Sequence, residues 1–150
     1  MKEIIYKLPY REKGKKKEIE IKIDFVSNWV VREFNHIMQV VFETQKAWNS
    51  TILKSSEIKY LQEEKPDGYY ERIENLYGEI KELTDQIQEI GKTDILQRRF
   101  EVIQVILEDN NVKEQKLFSF DFWDKCVDPE YMLDFLDKIA WKDIDKKKIM

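Results

Sequence analysis

The sequence predicts a mainly α protein of the α+β class, in which a small N-terminal β-hairpin precedes a helical bundle. Two patterns indicate this fold: apolar residues alternate at period two before residue 27, and recur at steps of three and four after it. The length of 150 residues, with 42% hydrophobic and 37% charged residues, is typical of one globular domain. We therefore expect a single domain over residues 1–150, composed of a β-hairpin (1–26), a long antiparallel helical hairpin arm (27–91) and C-terminal helices (92–150).

The β-hairpin is predicted from two alternating segments. The first has its alternating apolar residues at Ile4, Tyr6 and Leu8 and ends at Pro9. The second has apolar residues at every other position, with charged residues between them, at Ile19, Ile21, Ile23 and Phe25. The polar segment 11–17 contains Gly14 and connects the two. We interpret its lysines as a solvated turn.

The first half of the arm is predicted to be helical from Ser27 or Asn28 onward, since either residue is a good N-cap. Its apolar positions recur at helical spacing: Trp29, Val30, Phe34, Ile37, Met38, Val41, Phe42, Trp48 and Ile52. The pattern weakens over residues 50–56 and resumes at Ile58 and Leu61, so one helix or two would fit. Pro66 and Gly68 predict the turn that ends it.

The second half of the arm has a heptad seam, which predicts a helix that pairs with one partner helix. The seam residues follow one another at alternating steps of four and three: Tyr69, Ile73, Leu76, Ile80, Leu83, Ile87 and Ile90. Gly91 is expected to end this helix. The preceding helix is the obvious partner, although pairing between chains, and hence a homo-oligomer, fits the same pattern.

Helices are also predicted beyond the arm. Thr93 and Asp94 are expected to begin one, and Asp128 followed by Pro129 is an N-cap signal for another. Between them, residues 118–123 alternate like a strand, but Ser119 could cap a short helix, and we favour the helix.

The composition argues against an enzyme. One His, one Cys and four Gly leave no phosphate-binding loop, no thiolate zinc cluster and no His-based chemistry, so we expect neither a cofactor nor a metal. The residues Glu71, Glu74, Glu82 and Asp85 resemble the paired carboxylates that hold Mg²⁺ in MazG-like nucleotide pyrophosphatases. Those enzymes take the pairs from two facing helices, whereas here both lie on one, so a solvated acidic face is the preferred interpretation.

The charge and hydropathy predict a cytoplasmic protein that binds neither nucleic acid nor membrane. The net charge is −4, and residues 57–90 hold ten acidic and four basic side chains. No segment approaches the roughly 18 uninterrupted apolar residues of a membrane span, and no leader pattern is present. The 13% of aromatic residues exceed what a minimal helical core needs, which favours a protein-binding surface.

Two terminal segments resemble a known family. Residues 19–27 complete the hairpin, and residues 118–139 contain Phe120-Asp121-Phe122-Trp123-Asp124, Val127-Asp128-Pro129 and Phe135-Leu136. Together they resemble the tail assembly chaperones of siphophages from Gram-positive hosts, over about a third of the chain.

This resemblance implies a non-enzymatic protein that binds the tape measure protein until tail-tube subunits displace it. We expect the client contacts at Phe122, Trp123, Phe135 and Trp141. Such phages often place a −1 frameshift at a run of A-rich codons, which the codons of Lys146–Lys148 would fit, although a solvated basic tail is the simpler interpretation. An inhibitor of a host defence factor, which would present the acidic arm to a basic surface, is the alternative.

Overall fold

A computed structural model of the chain describes residues 2–91 and 94–141. It confirms the mainly helical α+β class with an N-terminal β-hairpin and an antiparallel helical hairpin. The elements, in chain order, are β1 (Ile4–Glu12), β2 (Lys15–Ile23), α1 (Asn28–Glu64), α2 (Tyr69–Gly91), α3 (Ile95–Asp109), a 3₁₀ turn (Gln115–Phe118), α4 (Phe120–Lys125), α5 (Pro129–Leu136) and a π-helical turn (Asp137–Trp141).

The described residues divide into two compact units. Unit 1 comprises the residues up to Ile37 together with those from Ile95 onward, and unit 2 extends from Met38 to Asp94. The helix α1 is continuous over 37 residues, so it contributes its first turns to unit 1 and the remainder to unit 2. Unit 2 is thus an uninterrupted segment inserted into the sequence of unit 1.

The first strand is longer than predicted, because β1 continues through Pro9 to Glu12. The strands pair antiparallel from Ile4 opposite Ile23 to Glu12 opposite Lys15. In a two-stranded sheet each strand has a free edge, so a proline without a backbone N–H is tolerated there. Lys13 and Gly14 both have positive φ, of 53° and 76°, as a two-residue type I′ turn requires.

Aromatic side chains connect the hairpin to the C-terminal helices in unit 1. The Tyr6 ring packs edge-on against Phe135, and the Tyr10 ring against Phe122, each with centroids 5.2 Å apart. Trp123 packs against Phe135 and donates its indole N–H to the Leu117 carbonyl at 2.8 Å. The core of unit 1 is therefore assembled from both ends of the chain.

Asn110, at the end of α3, holds the segment that follows β2. Its Oδ1 accepts hydrogen bonds from the backbone N–H groups of Asp24 and Phe25, at 2.9 and 3.0 Å. Its Nδ2 donates to the carbonyls of Phe25 and Ile106. One side chain thereby satisfies four backbone groups that come from two distant parts of the sequence.

A polar cluster fixes β1 on α5. The Tyr6 hydroxyl donates to Asp134 Oδ2 at 2.8 Å, and the Lys138 ammonium lies 3.1 Å from the same carboxylate and 5.3 Å from the Tyr6 ring centroid. The bond from Tyr6, and then that from Lys138, holds the pKa of Asp134 below its usual value. Burial, followed by the bond to Asp134, raises the pKa of Tyr6.

Unit 2 is an antiparallel pair of helices, formed by the part of α1 after Met38 and by α2. Gly68 adopts φ 76° in the turn between them, in the left-handed region that glycine occupies without strain. Ion pairs join Lys54 to Glu79 at 3.1 Å and Glu57 to Arg72 at 3.0 Å. The apolar contact consists of Ile58, Leu61 and Leu76, with Tyr69, Ile73 and Ile80 packed against them.

Leu76 is the fully buried residue at the centre of this contact, so replacing it should destabilise unit 2. We expect Leu76→Ala to lower the free energy of unfolding by about 2–5 kcal/mol, because it leaves a cavity as well as removing apolar contact. Urea unfolding followed by circular dichroism measures this loss. Tyr77→Ala, at an exposed neighbouring position, is the control, and a similar loss for both variants would contradict the assignment.

The Tyr6–Asp134 bond makes a prediction about pH. Because the folded-state pKa of Asp134 lies below the ordinary 3.8, its carboxylate stabilises the fold above that pH. This contribution is lost as the pH falls through the folded-state value. Tyr6→Phe should raise the pKa of Asp134 towards its ordinary value and reduce the acid-dependent part of the stability. Carboxyl-carbon NMR titration measures the shift, and Tyr10→Phe should leave Asp134 unchanged.

Candidate protein-binding surface

The acidic residues considered for a metal site remain on one helix. Glu71, Glu74, Glu82 and Asp85 are all exposed on α2. No group of three or more His, Cys, Asp or Glu side chains within residues 2–91 and 94–141 is arranged to hold a metal ion. His36 is exposed, and Cys126 is a partly buried free thiol. The four carboxylates form a solvated acidic face on α2.

Three of the four residues predicted to contact a client are buried in the structure. Phe122, Trp123 and Phe135 are 6%, 1% and 0% exposed, because they fill the core between the hairpin and the C-terminal helices. The Trp141 side chain lies outside the described part of the structure. An accessible surface for a partner must therefore be sought among other residues.

The predicted seam lies on the side of α2 that faces α1, where Leu76 is buried and the other six members are half-buried. Its contacts are uneven along the helix. Tyr69, Ile73 and Ile80 pack against the buried cluster around Leu76, within one chain. Leu83 and Ile90 instead line an open groove of about 570 Å³, together with Ala47 and Ser50 of α1. The groove exists because α1 offers two small side chains opposite two large ones.

Exposed apolar side chains lie on the side of α1 that faces away from α2. We call this set the α1 apolar face: Phe42, Trp48, Ile52, Leu53 and Tyr60. Its members are 48–71% exposed, with Leu53 the most exposed at 71%. Exposed large apolar residues are common singly, but a continuous group of them marks an interaction surface.

Helical geometry explains why these side chains are left uncovered. At about 100° per residue, the five lie within an arc of about 140° on α1. The buried positions Ala47, Ile58 and Leu61 lie on the opposite side, towards α2. Because α2 has a narrow apolar stripe, it covers one side of α1 and leaves the other in solvent.

The α1 apolar face is also nearly uncharged. Among residues 38–60, all of which the structure describes, Lys59 is the charged residue whose position falls within the arc. Apart from Lys59, the polar positions between the apolar ones are neutral and include Gln45, Asn49 and Ser56. Gln45 Nε2 donates to Asn49 Oδ1 at 3.2 Å. A partner covering this face would remove little charge from water, which keeps the desolvation cost low.

Sequence reasoning missed this surface because it grouped Phe42, Trp48 and Ile52 with the buried positions of the same helix. In the structure all three are exposed, whereas Val30, Phe34 and Ile37 from the same set are buried. A signal was present in the sequence: the apolar residues of α1 occupy two opposite sides after residue 40, which is more than one partner helix covers. Their angular positions, rather than their spacing alone, would have separated the two sets.

Comparison with known proteins gives no match for this chain, either to a family model, to a curated protein or to a solved structure. Within the described residues, no helix combines the length and apolar character needed to cross a membrane.

Proposed function

We propose that this protein is a non-enzymatic tail assembly chaperone of a siphophage, acting in the cytoplasm of the bacterial host. Its client in this proposal is the tape measure protein, which it keeps soluble until tail-tube subunits assemble around that protein. The resemblance of residues 19–27 and 118–139 to such chaperones suggests the class. The observation that carries a binding function is the exposed, nearly uncharged α1 apolar face.

The α1 apolar face suits an amphipathic helix as its ligand. Phe42, Leu53 and Tyr60 lie along one side of this face, spaced over about five turns of α1. Trp48 and Ile52 form its second edge. Helix recognition of this kind uses apolar anchors at helical spacing, and aromatic side chains supply much of the contact area. A long amphipathic client would present many equivalent segments to this face.

The two parts of the proposal assign different roles to different residues. Phe122, Trp123 and Phe135, which carry much of the family resemblance, stabilise unit 1 through their burial. Client binding is assigned to α1 in unit 2. A loss of client binding without a loss of stability is therefore expected from substitutions on α1, and the reverse from substitutions in the core.

A second candidate is an inhibitor that binds a basic surface of a host defence protein. The exposed carboxylates of α2 favour it, since Glu71, Glu74, Glu82 and Asp85 all lie in solvent. Reversing two of these charges, as in Glu74→Lys with Glu82→Lys, would abolish such inhibition. The same change should leave binding at the α1 apolar face intact.

The chaperone proposal is tested by co-expression with the tape measure protein of the same phage. We expect the wild-type chain to raise the soluble fraction of that protein several-fold. Phe42→Ser with Trp48→Ser should remove most of this gain, because both apolar anchors are lost. The soluble fraction is measured by quantitative gel analysis after centrifugation, and circular dichroism checks that the variant keeps its helices.

Phe25→Ser is the matched control, since Phe25 is also an exposed aromatic, 52% exposed, but lies in unit 1. It should protect the client as well as the wild type does. Equal protection by the double variant would exclude the α1 apolar face as the client site.

The gene should show the arrangement that this function implies. We expect a slippery heptamer at the codons of Lys146–Lys148, an open −1 frame beyond it and a tape measure gene downstream. Sequencing of the surrounding DNA provides the measurement. A position among unrelated metabolic genes would contradict the phage assignment, independently of any binding result.

A further inference from the structure

We propose that the α1 apolar face binds the same face of a second copy of this chain, forming an antiparallel two-fold dimer. The client site of the proposed function would then be covered in the free protein and opened when the client displaces the second copy. The dimer itself is argued from the geometry and chemistry of α1, and only its release by the client rests on the proposed function.

The exposed apolar area is of the size that a dimer needs. Large aromatic side chains bury roughly 150–250 Å² each when fully covered. The five residues of the face are about half to two-thirds exposed, so they would contribute roughly 500 Å² per copy. Two copies would bury about 1,000 Å² from these residues alone, near the lower bound of about 1,000 Å² for a specific interface. The neutral residues between them would add to that area.

The spacing of the face is nearly symmetric about its centre, as a two-fold interface requires. In an antiparallel pair that crosses between Ser50 and Thr51, Phe42 lies within one residue, about 1.5 Å along the axis, of the level of Tyr60 of the second copy. In the same arrangement Trp48 lies within one residue of the level of Ile52 of the second copy. Antiparallel packing also brings like edges of the two helices together, so both pairs form at once.

The few charges near the face are compatible with the antiparallel direction. Lys46 and Lys59 lie at opposite edges of the arc and near opposite ends of the segment. In the antiparallel pair Lys46 faces the level of Ser55 and Ser56, and Lys59 faces the level of Phe42. Neither lysine meets a like charge in this arrangement.

The polar residues at the centre define the register. Gln45, Asn49 and Ser56 lie along the middle of the face, and Asn49 is within two residues of the crossing. Buried asparagine pairs between helices fix register at some cost in stability. A dimer with such a centre is specific but moderate in affinity, which suits an interface that a client has to open.

Sedimentation of the full chain tests the dimer. At micromolar concentration we expect the wild type to have an apparent molecular mass of twice one chain, and this mass should fall on dilution as the dimer dissociates. Phe42→Ser with Trp48→Ser should sediment as one chain at every concentration, while Phe25→Ser should behave as the wild type. A wild-type chain that stays monomeric, or a double variant that still dimerises, would overturn the proposal.

Disulfide trapping on an otherwise intact face tests the direction and register. In a Cys126→Ser background, Gln45→Cys and Ser56→Cys are made as separate proteins and then mixed and oxidised. The antiparallel register brings these two positions together, whereas Gln45 and its own copy lie about 16 Å apart along the axis, too far for a disulfide. Crosslinking should therefore appear in the mixture and not in either protein alone. Crosslinking of Gln45→Cys to itself would establish a parallel pair and overturn the proposal.

The two proposals fail in different ways. If the wild type is monomeric but still protects the tape measure protein, the dimer proposal is wrong and the chaperone proposal stands. If the dimer forms but no client dissociates it, the α1 apolar face is not the client site and the second copy does not regulate client binding. The dimer interface itself is then still supported. If both hold, adding a soluble tape measure fragment should convert the crosslinkable mixture into one that no longer crosslinks.

Discussion

The narrow apolar stripe of α2 is the constraint on which the rest of unit 2 depends. Because that stripe is one heptad seam wide, it buries Ile58, Leu61 and Ala47 of α1 and reaches no further around the helix. The apolar residues on the opposite side of α1, which form the α1 apolar face, stay in solvent. The α1 apolar face is exposed because α1 has apolar residues on two sides, whereas α2 has them on one side and covers only one side of α1.

The same pairing also explains the open groove at the far half of the hairpin. The seam keeps its heptad spacing up to Ile90, yet α1 opposes it with Ala47 and Ser50 over that stretch. Packing depends on the volumes of both partners, so a regular seam on one helix does not ensure a filled contact. Most of the apolar burial between the helices is therefore concentrated near the turn, around Leu76.

The fold class and most element boundaries could be predicted from the sequence, because they depend on local patterns. The alternation of Ile19, Ile21 and Ile23, and the Asp128-Pro129 cap, are examples. The extension of β1 through Pro9 could not, since it depends on which strand edge is free. The burial of Phe122 and Trp123 and the exposure of Phe42 and Trp48 depend on tertiary neighbours, so the sequence pattern alone could not predict them.

The order of the two units along the chain has a consequence for synthesis on the ribosome. Unit 2 is contiguous and its contacts are local, so it is ready to fold once residue 91 has left the exit tunnel. Unit 1 has to wait, because Tyr6 and Tyr10 need Phe135 and Phe122, which are translated more than a hundred residues later. For that interval the nascent hairpin strands lack their core partners. Translation speed over the C-terminal third therefore sets how long those aromatic side chains remain open to aggregation.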